Sequence, residues 1–184
     1  MIITTRFTKT VIILFVLATG SSCKLSEPGL TETGETGMIL EVTSSAFEMG
    51  SRIPKKFTCD GENVSPPLKW SGVPAEAKSL VLIADDPDAP MGTWVHWVLY
   101  DLPPDLDSLP EGASGIGTQG VNDFRKTGYG GPCPPRGSEH RYYFKVYALD
   151  TMAGLKAGAS KRDLENAMRG HILAQGQLMG IYGR

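Results

Sequence analysis

Three segments of this chain carry side chains that could bind an anion or move a proton. Asp85–Pro90, with the sequence DDPDAP, follows an apolar run, and its prolines would end a strand and leave carboxylates at the edge of a sheet. His96 lies inside a second apolar run, Thr93–Tyr100. His140 and Tyr142 are two residues apart at the start of a third, so an imidazole and a phenol share one face. If the strands converge, these groups predict a pocket for a phosphate or a carboxylate.

A segment rich in glycine and proline, Gly128–Pro135, leads towards His140. Gly130 and Gly131 lack side chains, so their backbone N–H groups could approach an anion closely. Each segment also has an ordinary explanation. An Asp-Pro cluster is commonly a solvated turn, and a lone histidine in a strand is commonly a hydrogen-bonded core residue.

The same side chains allow other classes of function. Asp86, His96 and His140 form a two-histidine, one-carboxylate set that would suit iron or zinc, although the chain has no short His-x-His or His-Glu-x-x-His spacing. A nucleophilic hydrolase is disfavoured because there is no Gly-x-Ser-x-Gly motif. An inhibitor that acts through a protein-interaction surface stays open. We expect a binding protein that is not an enzyme and that uses no metal and no cofactor.

The elements that must position these residues are mostly strands. Alternating apolar runs bounded by Pro, Gly and Asp predict strands at Met38–Val42, Ser79–Asp85, Thr93–Tyr100, Arg141–Leu149 and Ala174–Tyr182. Alternation within the third run places His96 on one face with Trp94, Val98 and Tyr100. The stretch from Pro103 to Ser138 has no strong periodicity, and a connection of that length is usually functional.

One segment has a helical pattern. Ser160 and Asp163 fit a capping box, and the residues that follow at helical spacing on one face are Leu164, Ala167, Met168 and His171. His171 on this apolar stripe is interpreted as structural.

Composition limits the class of protein. With 41% hydrophobic and 21% charged residues, the chain is not disordered over most of its length. Its 22 glycines and 13 prolines favour a domain with many turns over a helix bundle. A formal net charge of −2, with no basic block, excludes bulk attraction to nucleic acid.

The first 22 residues predict a secretory signal peptide. Arg6 and Lys9 precede the apolar run Val11–Ala18, which is too short to span a membrane. Cys23 then resembles the lipid-acceptor cysteine of bacterial lipoproteins, except that Gly20 occupies the usual leucine position. We therefore expect export with a lipid anchor in the cell envelope, and plain secretion as the alternative. Residues 23–37 read as a flexible tether, and residues 38–184 as the folded domain.

Several motifs in register resemble the phosphatidylethanolamine-binding protein family. They are the run Asp86–Pro90, the pair His96-Trp97, the segment Gly130–Pro132 and the triplet His140–Tyr142, over a match from about Leu40 to Tyr182. The segment Cys59–Pro74 and the GYGGPCPP sequence are similar to the prokaryotic, Raf-kinase-inhibitor-like branch.

The resemblance implies a fold and a ligand. The fold is mainly β, with two antiparallel sheets, Greek-key connections and a short C-terminal helix. The pocket would be lined by Asp86, His96, His140 and Tyr142, with Gly131 and Pro132 as one wall and with Asp88 and Pro90 shaping its mouth. Its ligand would be a small anion or a zwitterion such as a phosphorylated head group, and some members inhibit kinases or proteases.

Cys59 and Cys133 form an even pair in a domain expected to be exported. They could form a disulfide that stabilises the domain by roughly 2–4 kcal/mol, or they could remain two buried thiols.

Overall fold

A computed structural model describes residues 38–184 of the chain. The predicted signal peptide (1–22), the tether (23–37) and Cys23 lie outside the described residues. The described elements are nine strands, one 3-10 helix and one α-helix, in the order β1 (Met38–Ile39), β2 (Glu41–Thr43), the 3-10 helix (Lys55–Phe57), β3 (Leu68–Ser71), β4 (Ser79–Asp86), β5 (Trp94–Leu102), β6 (Ser108–Leu109), β7 (Thr118–Gln119), β8 (Glu139–Leu149), α1 (Lys161–Met168) and β9 (Ile172–Gly183).

The strands form two sheets, which confirms the predicted mainly β fold. The large sheet has the order β1-β9-β8-β4-β5-β7, and the small sheet has the order β2-β3-β6. An apolar core that draws on both sheets lies between them, and it includes Trp70 from the small sheet and Leu82 and Phe144 from the large one. A second cluster on the other face of the large sheet contains Leu164 and Met168 of α1. The domain therefore has three layers.

The centre of the large sheet decides where polar residues meet. β4 lies between β5 and β8 and is antiparallel to both, with Asp86 opposite Trp94 and Asp85 opposite Tyr143. The end of β4 and the starts of β5 and β8 are therefore neighbours at one end of the sheet. These are the three strand ends on which the sequence places Asp86, His96 and His140.

Two predicted elements differ in the structure. The expected single strand Met38–Val42 is divided: β1 pairs in parallel with β9 of the large sheet, while β2 pairs antiparallel with β3 of the small sheet. A strand that passes between two sheets cannot be recognised from its alternation alone. The pair β1–β9 also adds a parallel edge to an otherwise antiparallel sheet.

The capping box at Ser160 and Asp163 is present, but the helix is shorter than its predicted stripe. α1 ends at Met168, so His171 lies outside the helix and its expected position on an apolar face is wrong. The His171 side chain is 47% exposed, and its Nδ1 lies 2.8 Å from Asp150 Oδ1. The helix precedes the last strand, β9, in the order that the sequence predicts.

The expected alternation of β5 is interrupted at His96. The pairing with β4 shifts between Ala84 opposite Trp97 and Asp85 opposite Val95, which leaves His96 as the additional residue of a β-bulge. Val98 and Tyr100 pack on the helix side of the sheet. His96 instead contacts Tyr142, which belongs to the core between the sheets. The bulge thus moves His96 to the face opposite the predicted one.

Candidate functional site

A cavity of about 320 Å³ opens at the end of the large sheet where β4, β5 and β8 meet. Asp86, His96 and His140 are its polar members. The remaining lining residues are mostly apolar and come from β5 and from two loops, β4–β5 and β7–β8: Ala89, Pro90, Met91, Trp94, Phe124, Cys133, Pro134 and Pro135. The structure therefore brings together three of the four predicted polar residues in a largely apolar site, where charge interactions are stronger than in water.

Asp86 and His140 form a buried pair at the bottom of this site. Their side chains are 5% and 7% exposed, and His140 Nδ1 lies 2.8 Å from Asp86 Oδ2. The other carboxylate oxygen, Asp86 Oδ1, accepts the N–H of Asp88 at 2.8 Å. Because the carboxylate accepts from Nδ1, it favours the imidazole tautomer with the proton on that nitrogen.

His96 is held in the same manner by a different acceptor. Its Nδ1 lies 2.6 Å from the carbonyl oxygen of Gly130, so that nitrogen carries the proton in the neutral ring. Burial lowers the pKa of His96 below its ordinary value, while the hydrogen bond to Gly130 and the charge of Asp86 oppose the shift. The neutral ring is therefore favoured when no further anion is close.

Both histidines use Nδ1 for a protein partner, and neither Nε2 atom has one among residues 38–184. Since His96 and His140 line the cavity, each has its second ring nitrogen available for a ligand. A neutral Nε2 accepts a hydrogen bond, and a protonated Nε2 donates one. Proton uptake at His96 would therefore change its Nε2 from a hydrogen-bond acceptor into a donor.

Tyr142 is close to this pair, although it lies outside the cavity lining. Its ring packs edge-on against His96, with centroids 5.2 Å apart, and the residue is 2% exposed. Its buried hydroxyl has no hydrogen-bond partner among the described residues. Burial raises the pKa of Tyr142, and the charge of Asp86 raises it further, so the hydroxyl keeps its proton and remains a donor.

Asp88 and Pro90 have separate positions in the loop after β4. Asp88 accepts hydrogen bonds from Nε and Nη2 of Arg141 at 2.9 and 2.7 Å, and also from its backbone N–H. These hydrogen bonds lower the pKa of Asp88 to about 2. Asp88 therefore fixes the loop against β8, whereas Pro90 lines the cavity itself.

The predicted wall at Gly131 and Pro132 is wrong in detail. Gly130 N–H donates to the carbonyl of His96 at 2.9 Å, and Gly131 N–H donates to Asn63 Oδ1 at 2.7 Å, so neither amide is free for an anion. A Cβ on Gly131 would lie 2.5 Å from the carbonyl oxygen of Phe57. Gly130 and Gly131 have no room for a side chain, because they pack closely behind the wall. The wall is formed by Cys133, Pro134 and Pro135.

Sequence reasoning missed the aromatic side of the site. The Phe124 ring lies edge-on to His96 and to Trp94, with centroids 5.4 and 5.5 Å away. Its turn is held by the buried Asn122, which donates to the carbonyl of Gly128 and accepts the N–H of Lys126. The only signal in the sequence is an Asn-Asp pair, typical of turns, inside the long stretch without periodicity.

The cysteines Cys59 and Cys133 are joined in a disulfide, which decides between the two alternatives left by the sequence. It links the residues after the 3-10 helix to the cavity wall. Within residues 38–184, no three or more His, Cys, Asp or Glu side chains are grouped as metal ligands would be. The only helices of this part of the chain are too short or too polar to cross a membrane.

The fold and the cavity indicate a class of protein, and comparison with known sequences indicates the same class. The sequence model of the family described as "Phosphatidylethanolamine-binding protein" matches residues 43–183. The chain therefore belongs to the phosphatidylethanolamine-binding protein family. Residues from three of the motifs that carry the resemblance meet in one cavity: Asp86, Ala89 and Pro90 from the first, and His96 and His140 from two others.

Individual relatives are similar over almost their whole length. A UPF0098 protein of Methanothermobacter thermautotrophicus is 52% identical, over 79% of this chain and 99% of that protein. A UPF0098 protein of Aquifex aeolicus is 53% identical, over 80% and 91%.

Two solved structures share the fold. The crystal structure of CT736 from Chlamydia trachomatis, a homologue of the phosphatidylethanolamine-binding proteins, is 48% identical and has a TM-score of 0.76 over 79% of this chain and 98% of that chain. The structure of E. coli YbcL, a member of the mammalian PEBP family, is 32% identical and has a TM-score of 0.74 over 79% and 98%.

Proposed function

We propose that this family member is a lipid-anchored binding protein of the cell envelope whose cavity takes a small phosphorylated anion or zwitterion. The observation that carries the binding proposal is the arrangement of the two histidines. His96 and His140 each engage a protein acceptor through Nδ1, and each lines the cavity with Nε2 left for a ligand. Two such nitrogens in an apolar site suit the oxygens of one phosphate group.

The charge of the site supports a ligand with both signs of charge. Asp86 is a buried acceptor close to any anion bound at the histidines, and it would repel that anion unless protons or a cation compensate. A phosphoethanolamine group offers an ammonium along with its phosphate. We therefore expect its affinity to exceed that of inorganic phosphate.

Titration calorimetry tests this proposal with three probes: phosphoethanolamine, inorganic phosphate and ethanolamine. We expect phosphoethanolamine to bind more tightly than phosphate, and ethanolamine alone to give no binding. No binding of either phosphate compound would overturn the proposed ligand class. Phosphate that binds as tightly as phosphoethanolamine would remove the role of the ammonium and leave a simple anion site.

The location is proposed from the sequence of the first 37 residues. An n-region with Arg6 and Lys9, a short apolar run and Cys23 support export followed by lipid attachment. Metabolic labelling with a palmitate analogue should mark the native chain and not the variant Cys23→Ser. An unlabelled native chain in the soluble exported fraction would replace the lipid anchor by plain secretion.

A further inference from the structure

The disulfide is part of the ligand cavity instead of being buried in the core. Cys133 is exposed and lines the cavity, while Cys59 is partly exposed. The bond connects segments 74 residues apart: the turn after the 3-10 helix and the wall of the site. A thiol in solution can therefore reach Cys133, which is bonded to Cys59 and forms part of the cavity wall.

The disulfide holds the middle of the wall. Pro134 and Pro135 have no backbone N–H to donate. Beyond them the chain is held by Ser138, whose N–H and hydroxyl donate to the carbonyl of Pro135 at 3.2 and 2.7 Å. Before Cys133 the chain is secured without the disulfide, because Pro132 accepts the N–H of Cys59 at 3.1 Å and Gly131 donates to Asn63 at 2.7 Å. Opening the disulfide would therefore remove the link at Cys133, in the middle of the wall, and leave both ends of the wall attached.

A cation lies beside the sulfur of Cys133. Arg184 Nη1 is 3.4 Å from Cys133 Sγ, and Nη2 is 3.0 Å from Asp60 Oδ1, which orients the guanidinium. A positive charge at this position attracts an incoming thiolate, which is the reactive form of a thiol. Exposure and charge therefore both direct attack to Cys133.

We propose that the Cys59–Cys133 disulfide is a site of thiol–disulfide exchange with an external dithiol, and that its opening loosens the cavity wall and weakens anion binding. The second half rests on the proposed function. In the first step, a thiolate of the dithiol bonds to Cys133 Sγ, the S–S bond breaks, and Cys59 leaves as a thiolate. In the second, the other thiolate of the dithiol displaces Cys133 from the mixed disulfide. The dithiol becomes a disulfide, and its two protons pass to the protein thiols.

The chemistry is tested without reference to any ligand, using the full chain with Cys23→Ser so that only this cysteine pair reacts. Glutathione, a monothiol, should give a mixed disulfide that peptide mass spectrometry locates on Cys133, with Cys59 free. Arg184→Gln should slow reduction by dithiothreitol by about fivefold or more, Arg184→Lys should largely restore the rate, and Arg169→Gln, an exposed arginine elsewhere, should not change it. A disulfide that is reduced only at the rate of global unfolding would overturn the exchange site.

The effect on the pocket is tested in the same protein. Hydrogen exchange should become faster at Cys133 and Arg136 after reduction and stay unchanged in β4. Phosphate affinity should fall about tenfold, comparable to the cost of ordering one backbone residue again, and the variant Cys59→Ser/Cys133→Ser should match the reduced protein. Equal affinity in the oxidised and reduced proteins would overturn the coupling. If the oxidised protein binds no phosphate, the proposed ligand fails, while the adduct position and the hydrogen exchange still decide the exchange site.

Discussion

Asp85 and Asp86 are neighbours in the sequence, and both are buried in β4, at 1% and 3% exposure, yet they have opposite surroundings. Asp85 projects to the helix side of the large sheet, where Lys145 and Lys161 donate to it at 2.8 and 2.6 Å. Asp86 projects to the other face and pairs with His140 in the cavity. The comparison shows that burial of a carboxylate does not by itself indicate a functional site. Whether a buried carboxylate belongs to such a site depends on the group with which it is paired.

The partners of Asp85 are permanent charges. Burial alone would lower the pKa of Lys161, but the hydrogen bond and charge of Asp85 raise it, so the ion pair persists over the ordinary pH range. The partner of Asp86 is the imidazole of His140, and the pair opens onto a cavity. The first arrangement is suited to stability, and the second is suited to contact with a ligand.

The largest effect should come from removing the charge of Asp85. Asp85→Asn leaves two ammonium groups without their buried partner and should lower the free energy of unfolding by about 2–4 kcal/mol, somewhat less than for a fully buried pair because both lysines reach solvent. Urea denaturation measures this. The control is Glu165→Gln, which removes an exposed i, i+4 partner of Lys161 and should cost less than about 0.5 kcal/mol. Equal costs would contradict the structural role of Asp85.

The next effect should appear in binding. His140→Ala removes one Nε2 from the cavity and should weaken phosphate binding by about tenfold to a hundredfold, the range for a charge-assisted hydrogen bond. Calorimetry with phosphate measures this. His171→Ala is a matched control, because His171 has the same 2.8 Å contact to an aspartate but lies in solvent. A loss of affinity in the control, or none in His140→Ala, would place the site elsewhere.

A smaller effect should appear in the pH dependence of stability and of anion affinity, and His96 is its origin. Its pKa is lowered by burial, so protonation disfavours the folded state: without an anion, stability should be complete above about pH 6.5 and fall as pH falls below it. An anion at Nε2 favours protonation, so affinity should rise by up to about tenfold per pH unit over the same range. Sulfate is the appropriate probe because a phosphate ester itself titrates near ~6. His96→Ala should flatten both dependences, and a sulfate affinity that is independent of pH would exclude proton uptake.

The smallest effect should separate binding from stability at Tyr142. Its buried hydroxyl has no protein partner, so Tyr142→Phe should leave the free energy of unfolding unchanged or raise it by up to about 1 kcal/mol. If the hydroxyl donates to a bound anion, the same variant should weaken phosphate binding by less than about fivefold. Thermal melts and calorimetry on one preparation measure both quantities. A destabilised variant with unchanged affinity would assign the hydroxyl a structural role.

Much of this architecture was predictable because it depends on local patterns. Alternation located the four long strands to within two residues at each end, and the capping box at Ser160 located the helix start. His140 and Tyr142 were correctly placed on one face because β8 pairs with its neighbours without a shift over that part. In such segments successive side chains point to opposite faces of the sheet, so the spacing of two residues determines whether they share a face.

The rest was decided by tertiary structure. The bulge at His96 exists because β5 must pair with β4 in a particular register, and it reversed the face on which that side chain lies. The glycines predict that the amides of Gly130 and Gly131 are open to an anion, but these amides donate to partners 34 and 68 residues away. Likewise, only the folded chain shows that Cys59 reaches Cys133 and that Phe124 closes the site. The sequence determines which side chains share a face of a regular strand, because the alternation is local. Contacts between distant segments depend on how the whole chain packs.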